Sequence, residues 1–225
     1  MTYFTTTDGL RLHFEDTESG QPLLCLPGLT RNTRDFDFLK PHITSCRMIA
    51  MDYRGRGQSE YADDFLTYSV PQEAQDVIAL LDHLGLDKVT VLGTSRGGMI
   101  AMALAAGCPD RLAGVILNDV GPVIAPGGVE RIMQYVGRAP SQKTLPEAAE
   151  ALADVLGPQF PGLPDAVWHQ IAAAQFAETE TGLALRYDLR LRDALLAQAQ
   201  AGPIPDLWPL FDALVSLPLV VLRGA

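Results

Sequence analysis

Residues 89–98 read Val89-Thr90-Val91-Leu92-Gly93-Thr94-Ser95-Arg96-Gly97-Gly98. The apolar, β-branched first half predicts a buried strand. The run Met99 to Ala106, stopped by Gly107 and Pro109, predicts a helix whose small side chains allow close packing. Between them lies G-x-S-x-G. Gly93 and Gly97 have no Cβ, so neighbouring elements can approach a sharply turned serine. Strand, turn and helix in this order form a nucleophile elbow. It presents the Ser95 hydroxyl at the carboxyl end of the strand. The Arg96 N–H and the positive end of the helix then face a developing oxyanion. The alternative is a glycine-rich turn around an unreactive serine; the flanking strand and helix favour the elbow.

Working outward, Leu23 to Leu26, Met48 to Met51, Val115 to Leu117 and Leu219 to Leu222 are further continuous apolar runs. Such strands, separated by helical stretches, predict an α/β fold: a mostly parallel sheet with helices on both faces. Asp8-Gly9 between two β-prone runs predicts an N-terminal hairpin, with Leu10, Leu12 and Phe14 on a buried face and Arg11, His13 and Glu15 on a wet one. A helix is predicted from Val70 to Leu84, opened by a Ser69/Gln72 capping box with Pro71 in the first turn and stopped by Gly85. From Gly121 to about Leu214 the strand rhythm disappears. Prolines at 126, 140, 146, 158, 161, 164, 203 and 205 punctuate an Ala- and Leu-rich stretch that reads as several short helices. The predicted organisation is a core over 1–121, a helical cap over 122–213 and a returning core strand over 214–225.

With 225 residues, 48% hydrophobic and 20% charged, the chain has the composition of one large globular domain. Its net charge of -10 repels polyanions, which argues against nucleic acid and anionic membranes as partners. Cys25, Cys46 and Cys108 fit neither a disulfide framework nor a zinc site and suggest a reducing compartment. The N-terminus lacks the pattern of a secretory signal, and the Leu217–Leu222 run is too short to span a bilayer. A cytoplasmic location follows as the expectation. No dinucleotide fingerprint, P-loop or metal-ligand cluster is present, so neither a cofactor nor a metal is expected.

A second oxyanion donor is expected from Pro27-Gly28-Leu29-Thr30, after the first buried strand, with the Leu29 N–H as the donor. With this segment, Asp52-Tyr53-Arg54-Gly55-Arg56-Gly57-Gln58-Ser59, the elbow and Leu219 to Gly224 in order, the whole sequence resembles the α/β-hydrolase superfamily. The likeness is to capped esterase-like and carbon–carbon-bond hydrolase members. It departs at Pro27, where many members carry His; backbone donors suffice there. Residues 52–59 read as a structural loop near the pocket. Relatives that open epoxides or displace halide carry Asp at the elbow, so Ser95 implies acyl-type attack.

The resemblance also implies a base and an acid in the chain order Ser, Asp or Glu, His. His13, His42 and His83 precede Ser95 and read as surface residues. His169 is the only later histidine and is the candidate base. Asp119 is the candidate acid; its competing reading is a loop residue beside Asn118. The superfamily places the base after the last strand, and an apolar strand without a covering helix looks unfinished. The expectation is therefore a further C-terminal segment of about 30 residues or more, at least one strand–helix unit, carrying the missing groups. Trp168, Tyr135 and Trp208, with Phe176 and Phe211, are candidates for an apolar pocket under the cap, each also a core candidate. The leading reading is a serine hydrolase of a small or medium acyl compound. The alternatives are a carbon–carbon bond hydrolase, lyase or haloperoxidase-like enzyme, or a non-catalytic small-ligand-binding module.

Overall fold

The computed structural model describes residues 2–202 and 205–224; Pro203 and Ala225, both used above, lie outside them. The hairpin is β1 (Thr2–Thr5) and β2 (Arg11–Asp16), paired antiparallel with Phe4 opposite Leu12. Then come β3 (Gln21–Leu26), β4 (Cys46–Met51), α1 (Val70–His83), β5 (Val89–Thr94), α2 (Arg96–Gly107) and β6 (Leu112–Asn118). After β6 the chain forms α3 (Pro126–Tyr135), α4 (Leu145–Leu156), α5 (Asp165–Gln175), the strand pair β7 (Phe176–Thr179) and β8 (Gly182–Leu185), α6 (Leu191–Ala201) and α7 (Trp208–Asp212). It returns to the sheet as β9 (Leu219–Leu222). The order is β1-β2-β4-β3-β5-β6-β9, with the five strands from β4 onward parallel.

Alternation sorts each parallel strand onto two faces. Leu24, Leu26, Ile49, Met51, Val91 and Leu117 join the main core with Val77, Leu80 and Leu81 of α1 and Ile100, Ala101 and Leu104 of α2. Leu23, Cys25, Met48, Ala50 and Leu92 face the other way and pack on Phe36 and Leu39, from the short 3₁₀ turns that follow β3. Burial pushes the Cys25 thiol up to about 12, which leaves it an inert packing group. Val220, Val221 and Leu222 of β9 are exposed.

The N-cap of α1 is as expected, with Ser69 Oγ accepting the Gln72 N–H at 3.4 Å, but the Gln72 side chain turns to Asp76 instead of closing the box. Three further expectations are corrected. His13 is not on a wet face: it is 2% exposed because residues 52–60 roof it, with His13 N–H on Ser59 Oγ and Nδ1 2.9 Å from Asp52 Oδ2. The insertion between β6 and β9 is not purely helical, since β7 and β8 form an antiparallel hairpin with Phe176 opposite Leu185. Its last part does not belong with the rest: Leu207 and Leu214 are buried in the main core, and they seat α7 beside α2. No helix among the described residues is long and apolar enough to cross a membrane.

The hairpin turn carries one electrostatic link. The buried Arg54 guanidinium donates to both Asp8 carboxylate oxygens, at 3.0 and 3.2 Å, and holds the Asp8 carboxyl down at about 2. A depressed carboxyl stabilises the fold above its unfolded value, about 4, and that contribution disappears as pH falls through about 2. Asp8→Asn should therefore flatten the loss of stability between those pH values in urea titrations; an unchanged profile would remove this link.

Candidate active site

Ser95 sits at the junction of β5 and α2 with φ 50° and ψ −107°. A left-handed backbone at a residue with a Cβ costs on the order of 1–3 kcal/mol and persists only where its surroundings fix it. Here they do. The Ser95 N–H donates to Asn118 O of β6 at 3.1 Å, and its carbonyl accepts the N–H groups of Gly98 and Met99. The Gly97 N–H donates to Pro27 O at 3.1 Å. Both motif glycines are demanded by contact: a Cβ on Gly93 would lie 2.5 Å from Gly97 O, and one on Gly97 would lie 2.6 Å from the Leu26 carbonyl carbon.

The result is an exposed Ser95 side chain between the ends of β3 and β6, making no hydrogen bond among the described residues. The end of β3 pairs with β5 up to Leu26–Gly93, so the Pro27–Thr30 loop leaves the sheet beside the elbow. Among the described residues, the N–H groups of Leu29 and Arg96 donate to no protein acceptor. Two free amides next to a strained serine are what an oxyanion requires.

Sequence reasoning missed what holds these two residues. Glu73 on α1 is fully buried, and its Oε2 accepts from Arg96 Nε at 2.7 Å. Its Oε1 lies 3.0 Å from Arg56 Nη2 in a second ion pair. Arg56 Nε in turn donates to Leu29 O at 3.1 Å, and Tyr53 OH to Pro27 O at 3.0 Å. One carboxylate thus links the residues that carry both free amides. Burial alone would drive the Arg56 guanidinium toward deprotonation, and it does lower its pKa; the Glu73 charge opposes this. Beside this brace, Arg54 and Asp76 form a third buried ion pair, with Nη2–Oδ1 at 2.6 Å. A signal was present. Glu73 and Asp76 stand in register with Val77, Leu80 and Leu81 on the stripe that faces the core, where a carboxylate needs a buried cation.

The insertion lies over the loops that follow β3 and β4. Asn32 Nδ2 donates to Ala174 O at 2.7 Å, Gly57 N to Arg186 O at 2.7 Å and Asp188 N to Gly55 O at 2.8 Å. Tyr68 OH donates to Asp188 Oδ2 at 2.6 Å; burial and that carboxylate push the Tyr68 phenol up to about 12. Two cavities flank the loop after β3. One, about 410 Å³, is lined by Pro27, Phe36, Leu92, Thr94, Asn118 and Leu222 among others. The other, about 530 Å³, is walled mostly by the insertion, from Gln134 to Tyr187, with Thr30 and Arg31 of the loop after β3 at its edge. Ser95 is a wall residue of neither.

The other candidates distribute unevenly. Asp119 is at the carboxyl end of β6 with φ 53°, exposed, its N–H donating to Leu222 O at 2.9 Å. His169 is exposed on α5, and no Ser95–His169 hydrogen bond forms. His42 and His83 are exposed as expected. Tyr135 and Phe176 line the larger cavity. Trp168 does not: it is 5% exposed and packs on Ala148, Ala149 and Ala172 between α4 and α5, so it is core. Trp208 also lines neither cavity, because α7 is held against α2, where Trp208 meets Phe211 edge to face.

Comparison with known proteins agrees with this fold. A family model described as alpha/beta hydrolase fold matches residues 21–164. The 3-hydroxybutyrate-oligomer hydrolase of Cupriavidus necator is 34% identical over 218 residues, covering 93% of this chain and 74% of that protein. The crystal structure of an alpha/beta hydrolase from Novosphingobium aromaticivorans superposes with a TM-score of 0.87 at 43% identity, over 98% of this chain and 79% of that one. Haloalkane dehalogenase 2 of Mycobacterium tuberculosis is 35% identical over 118 residues, which span 52% of this chain and 41% of the dehalogenase. By its elbow, its sheet order and these relatives, the chain belongs to the alpha/beta hydrolase family and is a hydrolase.

Proposed function

We propose that this hydrolase cleaves a small or medium acyl compound, a carboxylic ester or similar, through an acyl-enzyme on Ser95. The observation that carries the reading is the left-handed Ser95 backbone, which aims an unpaired hydroxyl out of the sheet. Ser95 Oγ attacks the carbonyl carbon and gives up its proton to a base. The tetrahedral oxyanion is held by the Leu29 and Arg96 N–H groups, as the oxyanion collapses the alcohol leaves with a proton, and water then releases the acid. Asp119 is the acid candidate, supported by its place on the strand next to the elbow; His169 is the base candidate by chain order alone. The name of the Cupriavidus relative, an oligomer hydrolase, supports a substrate of modest size. A serine where halide-displacing relatives carry Asp supports acyl attack over dehalogenation. The net charge of -10 supports a small molecule over a polyanion.

The test is labelling with a fluorophosphonate probe together with hydrolysis of short-chain nitrophenyl esters. Both are expected to disappear in Ser95→Ala, a loss of at least about 10³-fold. Equal turnover by the wild-type protein and the variant would refute the serine reading.

A further inference from the structure

The cavity of about 530 Å³ within the insertion has a charge pattern that runs against the net charge of the molecule. The chain carries 27 acidic residues against 17 basic ones. Yet the described residues lining this cavity include two guanidinium groups, Arg31 and Arg138, and no carboxylate. Arg31 comes from the loop after β3, two residues beyond Leu29; Arg138 comes from the loop after α3. The only carboxylate near Arg31 among the described residues is Asp35, at a loose 3.8 Å. Arg138 forms no ion pair among the described residues. Gln175 at the end of α5 adds a buried side-chain N–H donor, Nε2, that has no acceptor. A buried donor without a partner is costly unless a ligand supplies one. The remaining wall combines apolar side chains, among them Leu152, Leu156 and Phe176, with the uncharged polar Thr30, Gln134, Ser141 and Gln142.

We infer that this cavity binds a small carboxylate with an apolar body: the carboxylate between Arg31 and Arg138, the chain against the leucines, and an oxygen of the ligand on Gln175. Two cations focus the field of a low-dielectric cleft on an anion, although the molecule as a whole repels anions. Planar guanidinium groups match a carboxylate with paired N–H donors. The inference deepens the reading of the protein as an acyl hydrolase, and rests on it in one respect only: it makes the preferred substrate an acyl compound that also carries a carboxylate, held at the cavity that begins beside the proposed oxyanion loop.

Binding tests this without requiring turnover. Hexanoate and hexanamide have the same apolar chain and differ in charge. By calorimetric titration, hexanoate is expected to bind the wild-type chain at least about ten-fold more tightly, with the advantage shrinking as salt is raised. Arg138→Gln and Arg31→Gln should each remove most of that advantage and leave hexanamide binding unchanged. Thermal melting of each variant checks that it is folded, and the exposed Arg138 is the safer of the two. Ser95→Ala should bind hexanoate as the wild type does, so failure of the serine reading and failure of the anion site give different results. Equal binding of the two ligands, binding of neither, or a hexanoate preference that survives the double arginine substitution would overturn the proposal.

Discussion

Glu73→Ala should lower the free energy of unfolding by about 3–5 kcal/mol, the cost of breaking a buried ion pair and leaving its partners uncompensated. In this chain the damage is doubled, because Glu73 faces both Arg96 and Arg56 and both side chains are buried, Arg56 completely. Urea denaturation measures it, and a loss below about 1 kcal/mol would show that water or another carboxylate replaces Glu73. Stability and positioning separate in a second variant. Replacing Arg56, Glu73 and Arg96 together by Met, Leu and Met removes the whole buried network at similar volume, and such swaps are often close to neutral for stability. The Leu29 carbonyl then loses its Arg56 donor. The triple variant should therefore fold well and still react slowly at Ser95, with the loss in kcat and little change in KM.

Gly97→Ala is the second large effect. In an exposed helix the change would gain roughly 1 kcal/mol. At this position the new methyl group would lie 2.6 Å from the Leu26 carbonyl carbon and 2.7 Å from Leu26 Cβ. Both belong to a central strand that cannot yield. The helix end has to move instead, breaking the Gly97–Pro27 hydrogen bond that ties the elbow to the Leu29 loop. Overpacking of this kind costs about 1–3 kcal/mol, and a shift of about 1 Å at reacting groups costs on the order of 10²-fold in rate. Gly107→Ala is the control, since nothing lies within 4 Å of its added Cβ. It should leave the melting temperature and the rate of Ser95 labelling unchanged or slightly raised. Equal behaviour of the two variants would mean that the elbow is not tightly built.

Much of this was legible in the sequence for local reasons. A buried parallel strand must be apolar throughout, and a strained serine turn must be flanked by residues without side chains. Residues 89–98 therefore announce both β5 and the elbow before any coordinates are known. The capping residue Ser69 and the terminator Gly85 act within one turn of helix, so α1 was readable to within a residue. Other features are not local. Alternation put His13 on a wet face, but residues 52–60, some 40 positions later, cover it and supply the Asp52 carboxylate. The aromatic residues Trp168 and Trp208 carry no mark that distinguishes cavity wall from core or surface; α4 buries the first and α2 fixes the helix that displays the second.

What the chain alone determined, then, is the succession of core strands with α1 and α2 and the identity of the nucleophile candidate, because hydrophobic period and backbone sterics act over a few residues. What tertiary structure decided is how the free amides of Leu29 and Arg96 are held. The charges that hold them come from a loop and two helices far apart in sequence, and only burial makes one carboxylate between two guanidiniums strong enough to fix them.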